Sequence, residues 1–218
     1  MTRDIDLYVF VERNVFDSDS AWLNALSALA ELAVPGLALQ VRTKTEAPER
    51  ALALAQEARA VTCDATIPVL LNASTAEAME LGYTGVHWPE AMIPSSPEGR
   101  SLLRGASVHS VEACRRAAVA GTAFVVAGTI FDAGSKPVPG EGIEKLRNIA
   151  RATTLPVLAI GGVTPERVAA CIEAGAAGVA VVSSVLRAPD MASAVAELRQ
   201  ALDEAGVGAA FRSLGGAT

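Results

Sequence analysis

The sequence predicts a single (β/α)8 barrel, an α/β fold, and three observations carry that expectation. Eight short β-branched runs alternate with longer Ala-rich amphipathic stretches over 218 residues, the pattern of successive βαβ units around a parallel sheet. The composition is 51% hydrophobic but only 4% aromatic, which suits thin helices packed on a buried sheet. Each strand candidate then runs into polar residues at its carboxyl end, where barrels carry their chemistry.

The first three strands are expected at Leu7–Val11, Leu37–Val41 and Pro68–Leu71. Ser74 three residues ahead of Glu77 is a capping-box spacing and marks the start of the next helix. The fourth strand is Gly85–His87. From Trp88 to Arg104 the residues Pro89, Pro94, Pro97 and Gly99 leave room only for a short or irregular fourth helix. Strands five to eight follow at Gly105–Val108, Ala123–Ala127, Val157–Ile160 and Gly178–Val182, and Thr164-Pro165 opens the helix after the seventh, with a side-chain oxygen ahead of a first-turn proline. Residues 1–205 thus form the barrel domain, and 206–218 are a Gly- and Ala-rich tail without periodicity, expected to be frayed and flexible or an oligomer contact.

A formal net charge of −6 with scattered basic residues disfavours nucleic acid and anionic membrane surfaces as partners. No run is long enough to span a bilayer and the amino terminus lacks a signal-like apolar stretch, so a cytoplasmic location is expected. Cys63, Cys114 and Cys171 are odd in number, distant and unpaired by motif; each is expected inside a helix as a buried or half-buried thiol, with neither disulfide nor zinc.

Polar residues after each strand form a coherent set. Arg42 and Lys44 flank Thr43, so on an extended segment both point to one side, as a clamp for a carboxylate or phosphate or as a solvated pair. Asn72 follows strand three, His87 ends strand four and His109 follows strand five; Thr129 and Lys136 follow strand six. His109 is the better proton carrier of the two histidines, because His87 stands beside Trp88 and is expected to pack and hydrogen-bond. Gly161-Gly162 after strand seven and Ser183-Ser184 after strand eight describe a phosphate cup, in which glycine allows backbone N–H groups to approach an anion and a following helix adds its positive end. Lys136, among turn formers, is either a mobile cation that closes over a ligand phosphate or a solvated loop lysine.

From Leu7 to about Leu202 the chain resembles the thiamine phosphate synthase/TenI family. The resemblance rests on Gln40-Val41-Arg42-Thr43-Lys44, Leu70-Leu71-Asn72, Gly85-Val86-His87, Ser107-Val108-His109-Ser110, Gly128 to Phe131, Ser135-Lys136 and Ala159 to Pro165. It implies a small phosphorylated thiazole as ligand and, by analogy, a homodimer. The family's synthases couple a pyrimidine pyrophosphate to thiazole phosphate with magnesium held by carboxylates directly after the strand-three Asn and after the strand-four His. Here those places read Ala73 and Trp88-Pro89-Glu90-Ala91-Met92, so no metal and no other cofactor is expected. Ser107-Val108-His109-Ser110 resembles instead the TenI-like thiazole tautomerases, which only move a proton. The expectation is therefore an isomerase with His109 as general acid/base, Arg42 and Lys44 at the ligand carboxylate, and the last two loops at its phosphate. The alternatives are the synthase itself and a catalytically silent barrel that binds the same phosphates in regulation.

Overall fold

The structure is a computed structural model that describes residues 5–98, 102–132 and 140–207. Eight parallel strands close on themselves in chain order: β1 (Leu7–Glu12), β2 (Leu37–Arg42), β3 (Val69–Leu71), β4 (Gly85–Trp88), β5 (Leu103–Val108), β6 (Phe124–Gly128), β7 (Val157–Ile160) and β8 (Gly178–Val181), with β8 pairing back onto β1. The helices between them are α1 (Asp19–Ala30), α2 (Pro48–Val61), α3 (Thr75–Glu80), α4 (Val111–Val119), α5 (Ile143–Arg151) and α6 (Pro165–Glu173); α7 (Ser183–Leu186) and α8 (Met191–Glu204) follow β8. Between β4 and β5 only a 3-10 turn over Glu90–Met92 lies among the described residues, as the prolines there require.

Strand side chains alternate between two buried layers. One face of each strand, such as Leu7, Val9 and Val11 of β1, packs under the helices. The opposite face fills the barrel with Tyr8, Phe10, Ala38, Leu70, Phe124, Val126, Leu158 and Ala180. Because both faces are buried, the strands read as continuous apolar runs, which is why they were legible.

Some expected details are corrected. β5 begins at Leu103, two residues before Gly105, because Gly105 is not a strand-opening break: a Cβ there would sit 2.9 Å from the His87 ring and 2.5 Å from Phe124. β4 continues through Trp88, which is buried in the outer layer with its indole N–H donating to Thr75 Oγ1 at 3.2 Å. Trp88 therefore does not crowd the ligand side. Cys63 is exposed and lies beyond the end of α2, whereas Cys114 and Cys171 are buried in α4 and α6, where burial pushes both thiols up, Cys171 to about 11. Ser74 caps α3 in the expected capping box. Thr164 makes no side-chain cap. Among the described residues no helix is long and apolar enough to cross a membrane.

Candidate functional site

The inner-face parity of β1, β2, β3 and β5, carried to or just past the strand end, brings Glu12, Arg42, Asn72 and His109 to the rim where β1 to β8 all terminate, and Gly162 and Ser184 lie in the segments that follow β7 and β8. Glu12 and Arg42 stand opposite in the register of β1 and β2 and form a partly buried ion pair. The Arg42 guanidinium also lies 5.8 Å from the centre of the Phe10 ring, so one of its faces is already in contact with the barrel interior. Asn72 is held by its own backbone, whose N–H donates to Val41 O at 3.0 Å, and by its side-chain Nδ2, which donates to His87 O at 3.1 Å.

The strand ends at Arg42 and a turn follows, closed by Glu46 N–H donating to Thr43 O at 3.0 Å; Lys44 lies in that turn and is exposed, whereas Arg42 is half-buried.

The two histidines occupy opposite environments. His87 is fully buried among Tyr8, Phe10 and Phe124, with Nε2 2.9 Å from Ser107 Oγ, and burial, reinforced by the Arg42 charge, lowers its pKa to about 3. It is a neutral imidazole in the barrel core rather than a rim residue. His109 is exposed, and its Nδ1 lies 2.7 Å from Gly128 O. A carbonyl only accepts, so Nδ1 carries the proton and the neutral ring keeps its lone pair on Nε2.

On the opposite side of the rim the loops after β6 and β7 lie directly against each other. Ile130 N–H donates to Ile160 O at 2.9 Å and Phe131 N–H to Gly161 O at 3.0 Å. Gly161 and Gly162 have φ of 102° and 61°, and a Cβ on Gly162 would come 2.6 Å from Asp132 O and 3.1 Å from an Arg167 nitrogen. The glycines are thus required by the chain's own packing. Thr129 is half-buried against Gly161. Ser184 Oγ donates to Val163 O at 2.9 Å, tying the start of α7 to the β7 loop, so Gly162, Ser183 and Ser184 are brought into one corner. At the start of α7 the Val185 and Leu186 N–H groups donate to Val182 O at 3.2 and 2.9 Å, which leaves those of Ser183 and Ser184 without an acceptor in the helix. Lys136 lies outside the described residues, as does the tail from residue 208.

Arg167 is a rim group that the sequence reading missed, whereas Glu90 stands in the stretch after β4 where the resemblance looks for a metal carboxylate. Arg167, in the first turn of α6, lies 4.8 Å from the Phe131 ring centre and donates to Gly162 O at 2.6 Å, a cation at the helix end that disfavours one. The signal was its position two residues after Pro165. Glu90 accepts the His109 backbone N–H at 2.7 Å and faces Arg116 at 3.4 Å. Among the described residues no three His, Cys, Asp or Glu side chains gather as a metal site.

The family described as thiamine monophosphate synthase matches residues 7–185. The chain is 37% identical over 202 residues to a thiamine-phosphate synthase of Roseiflexus sp. (strain RS-1), covering 87% of this chain and 86% of that protein. It is 34% identical over 209 residues to a thiamine-phosphate synthase of Methanoregula boonei, covering 92% and 94%. Its fold is similar to that of a thiamine phosphate pyrophosphorylase from Pyrococcus furiosus, with a TM-score of 0.71 and 24% identity over 93% of this chain and 98% of that one.

Proposed function

We propose, from the premise that this chain belongs to the thiamine monophosphate synthase (TMP-TENI) family, that it is a transferase of the thiamine-phosphate synthase type, acting on phosphorylated thiamine-pathway substrates at the barrel rim. The observation that carries this reading is the extent of the likeness: 37% identity to a protein named thiamine-phosphate synthase, over more than four-fifths of both chains.

That likeness corrects the expectation of a thiazole tautomerase. The isomerase reading leaned on Ser107-Val108-His109-Ser110, yet local structure accounts for three of these residues. Ser107 bonds to His87, Val108 packs in the outer layer, and Ser110 caps α4 by accepting the Ala113 N–H at 3.1 Å. A four-residue motif occupied with such tasks carries less about activity than identity across the whole barrel.

In the synthase reading a pyrimidine pyrophosphate and a thiazole phosphate are joined and pyrophosphate leaves. The corner of Thr129, Gly161, Gly162, Ser183 and Ser184, with Arg167 beside it, receives one phosphate group through backbone amides and a cation. Arg42 and Asn72 face the other substrate across the rim, with Lys44 as an outer cation, and His109 presents Nε2 between them as a hydrogen-bonding group. His87 acts from beneath, holding Ser107, and Lys136 is assigned to ligand closure on sequence grounds alone. The donors where the family's magnesium carboxylates would fall do not fit that ion. Ala73 offers a methyl, Met92 a thioether, and the Glu90 carboxylate is already engaged by the His109 N–H and Arg116. Charge on the ligand phosphates therefore falls to the chain's own cations and amides.

The test is product analysis by mass spectrometry with purified chain, pyrimidine pyrophosphate and thiazole phosphate, with and without magnesium chloride. Thiamine phosphate and pyrophosphate formed in equal amounts are expected; no product under either condition would overturn the reading.

A further inference from the structure

We infer that Glu90 is a positioning residue which fixes the His109 segment where relatives would hold a magnesium ion, so that this rim works without a divalent cation; the inference deepens the transferase reading and rests on it. Magnesium demands near-octahedral oxygen ligands and is carried by carboxylates together with water and phosphate. Of the two places in question, Ala73 has no polar side-chain atom, and the 3-10 turn Glu90–Met92 offers one carboxylate and one exposed thioether.

Both oxygens of that carboxylate have partners. Oε2 accepts the His109 backbone N–H at 2.7 Å, a short charge-assisted bond, and Oε1 faces the Arg116 guanidinium at 3.4 Å. Arg116 belongs to α4 and His109 immediately precedes that helix's cap, so one side chain links the β4 loop to the segment on which the His109 ring is mounted. The ring is then fixed at its other end by Nδ1 donating to Gly128 O at 2.7 Å. A cation drawing Glu90 toward itself would remove the acceptor of the His109 amide and leave Arg116 uncompensated. The ion pair is surface-exposed and worth little by itself; the directed bond to the amide is what sets the geometry.

The experiment uses the full chain and the variants Glu90→Ala and Glu90→Gln. Manganese(II) is titrated in and followed by the paramagnetic resonance signal of the free ion, and the His109 backbone amide is followed by proton–nitrogen correlation spectra. The expected results are a free-ion signal undiminished by the protein, an amide resonance shifted far downfield, loss of that shift with faster exchange in Glu90→Ala, and its retention in Glu90→Gln, whose amide oxygen still accepts. One-site manganese binding by the unmodified chain overturns the inference, as does an unchanged His109 amide in Glu90→Ala. Turnover that requires magnesium also overturns it while leaving the transferase reading standing. Absence of turnover with and without magnesium sinks the transferase reading alone, and the resonance and amide results then decide the role of Glu90.

Discussion

Acid should destabilise this barrel through one histidine, and the size of the effect follows from where that histidine lies. His87 is wholly buried among three aromatic rings, its ring centre 5.4 Å from that of Phe10 and 5.7 Å from that of Tyr8, and its pKa is lowered to about 3 by burial and by the nearby Arg42 charge. In the unfolded chain an ordinary histidine titrates near ~6.5. The folded state stays neutral between those values while the unfolded state takes up a proton, so the unfolded state binds more protons as pH falls. Stability from this group is therefore complete above pH ~6.5 and lost progressively as pH falls toward 3, at about 1.4 kcal/mol per pH unit. The perturbation is His87→Gln, which keeps a polar partner for Ser107 but does not titrate. Urea unfolding at pH 7.5, 5.5 and 4.5 should show the native chain losing more stability than the variant, by about 1.4 kcal/mol at pH 5.5 and about 2.7 kcal/mol at pH 4.5. Taking the difference cancels the carboxylate background, including Asp6, whose pKa is raised mainly by burial. Parallel stability profiles for the two proteins would refute the assignment of a buried neutral imidazole.

Gly162→Ala should cost about 1–3 kcal/mol as well as weakening inorganic phosphate binding, because φ is +61° and the added Cβ would meet Asp132 O at 2.6 Å; thermal unfolding and calorimetry check the two effects, and an unaltered melting temperature would count against the geometry. Arg167→Ala should weaken inorganic phosphate binding by roughly tenfold, the worth of one charge-assisted bond, with little change in melting temperature; unchanged affinity would remove Arg167 from the ligand corner. Arg199→Ala should destabilise by about 3 kcal/mol in urea unfolding, since it strands the Asp6 carboxylate that Arg199 meets at 2.5 Å, both side chains being only 14% exposed; a loss below 1 kcal/mol would mean the pair is effectively solvated.

The order and number of strands were legible because both faces of each are buried, so apolar runs of strand length stand out against the amphipathic helices. Ends were less legible. Gly105 looks like a break in the sequence, but its missing side chain makes room for the rings of His87 and Phe124, which come from two other strands. The same distinction runs through the rim. That polar residues follow the strands was evident, and parity places Arg42, Asn72 and His109 there. Glu12 as the partner of Arg42, and Arg167 over Phe131, arise only when separate segments meet. The short Ser107–Ser110 motif misdirected the activity because its neighbours' positions, which assign three of its residues structural tasks, are not written in the motif itself.

By itself, then, the sequence determined the barrel, its register of buried and exposed positions, and the collection of polar groups at one end, since these depend on local periodicity and on residues near one another in the chain. Tertiary structure alone decided which of those groups are charged, paired or available. The protonation of His87, the engagement of both Glu90 oxygens and the pairing of Arg42 with Glu12 depend on desolvation and on distances of a few ångströms between residues brought together by closure of the barrel.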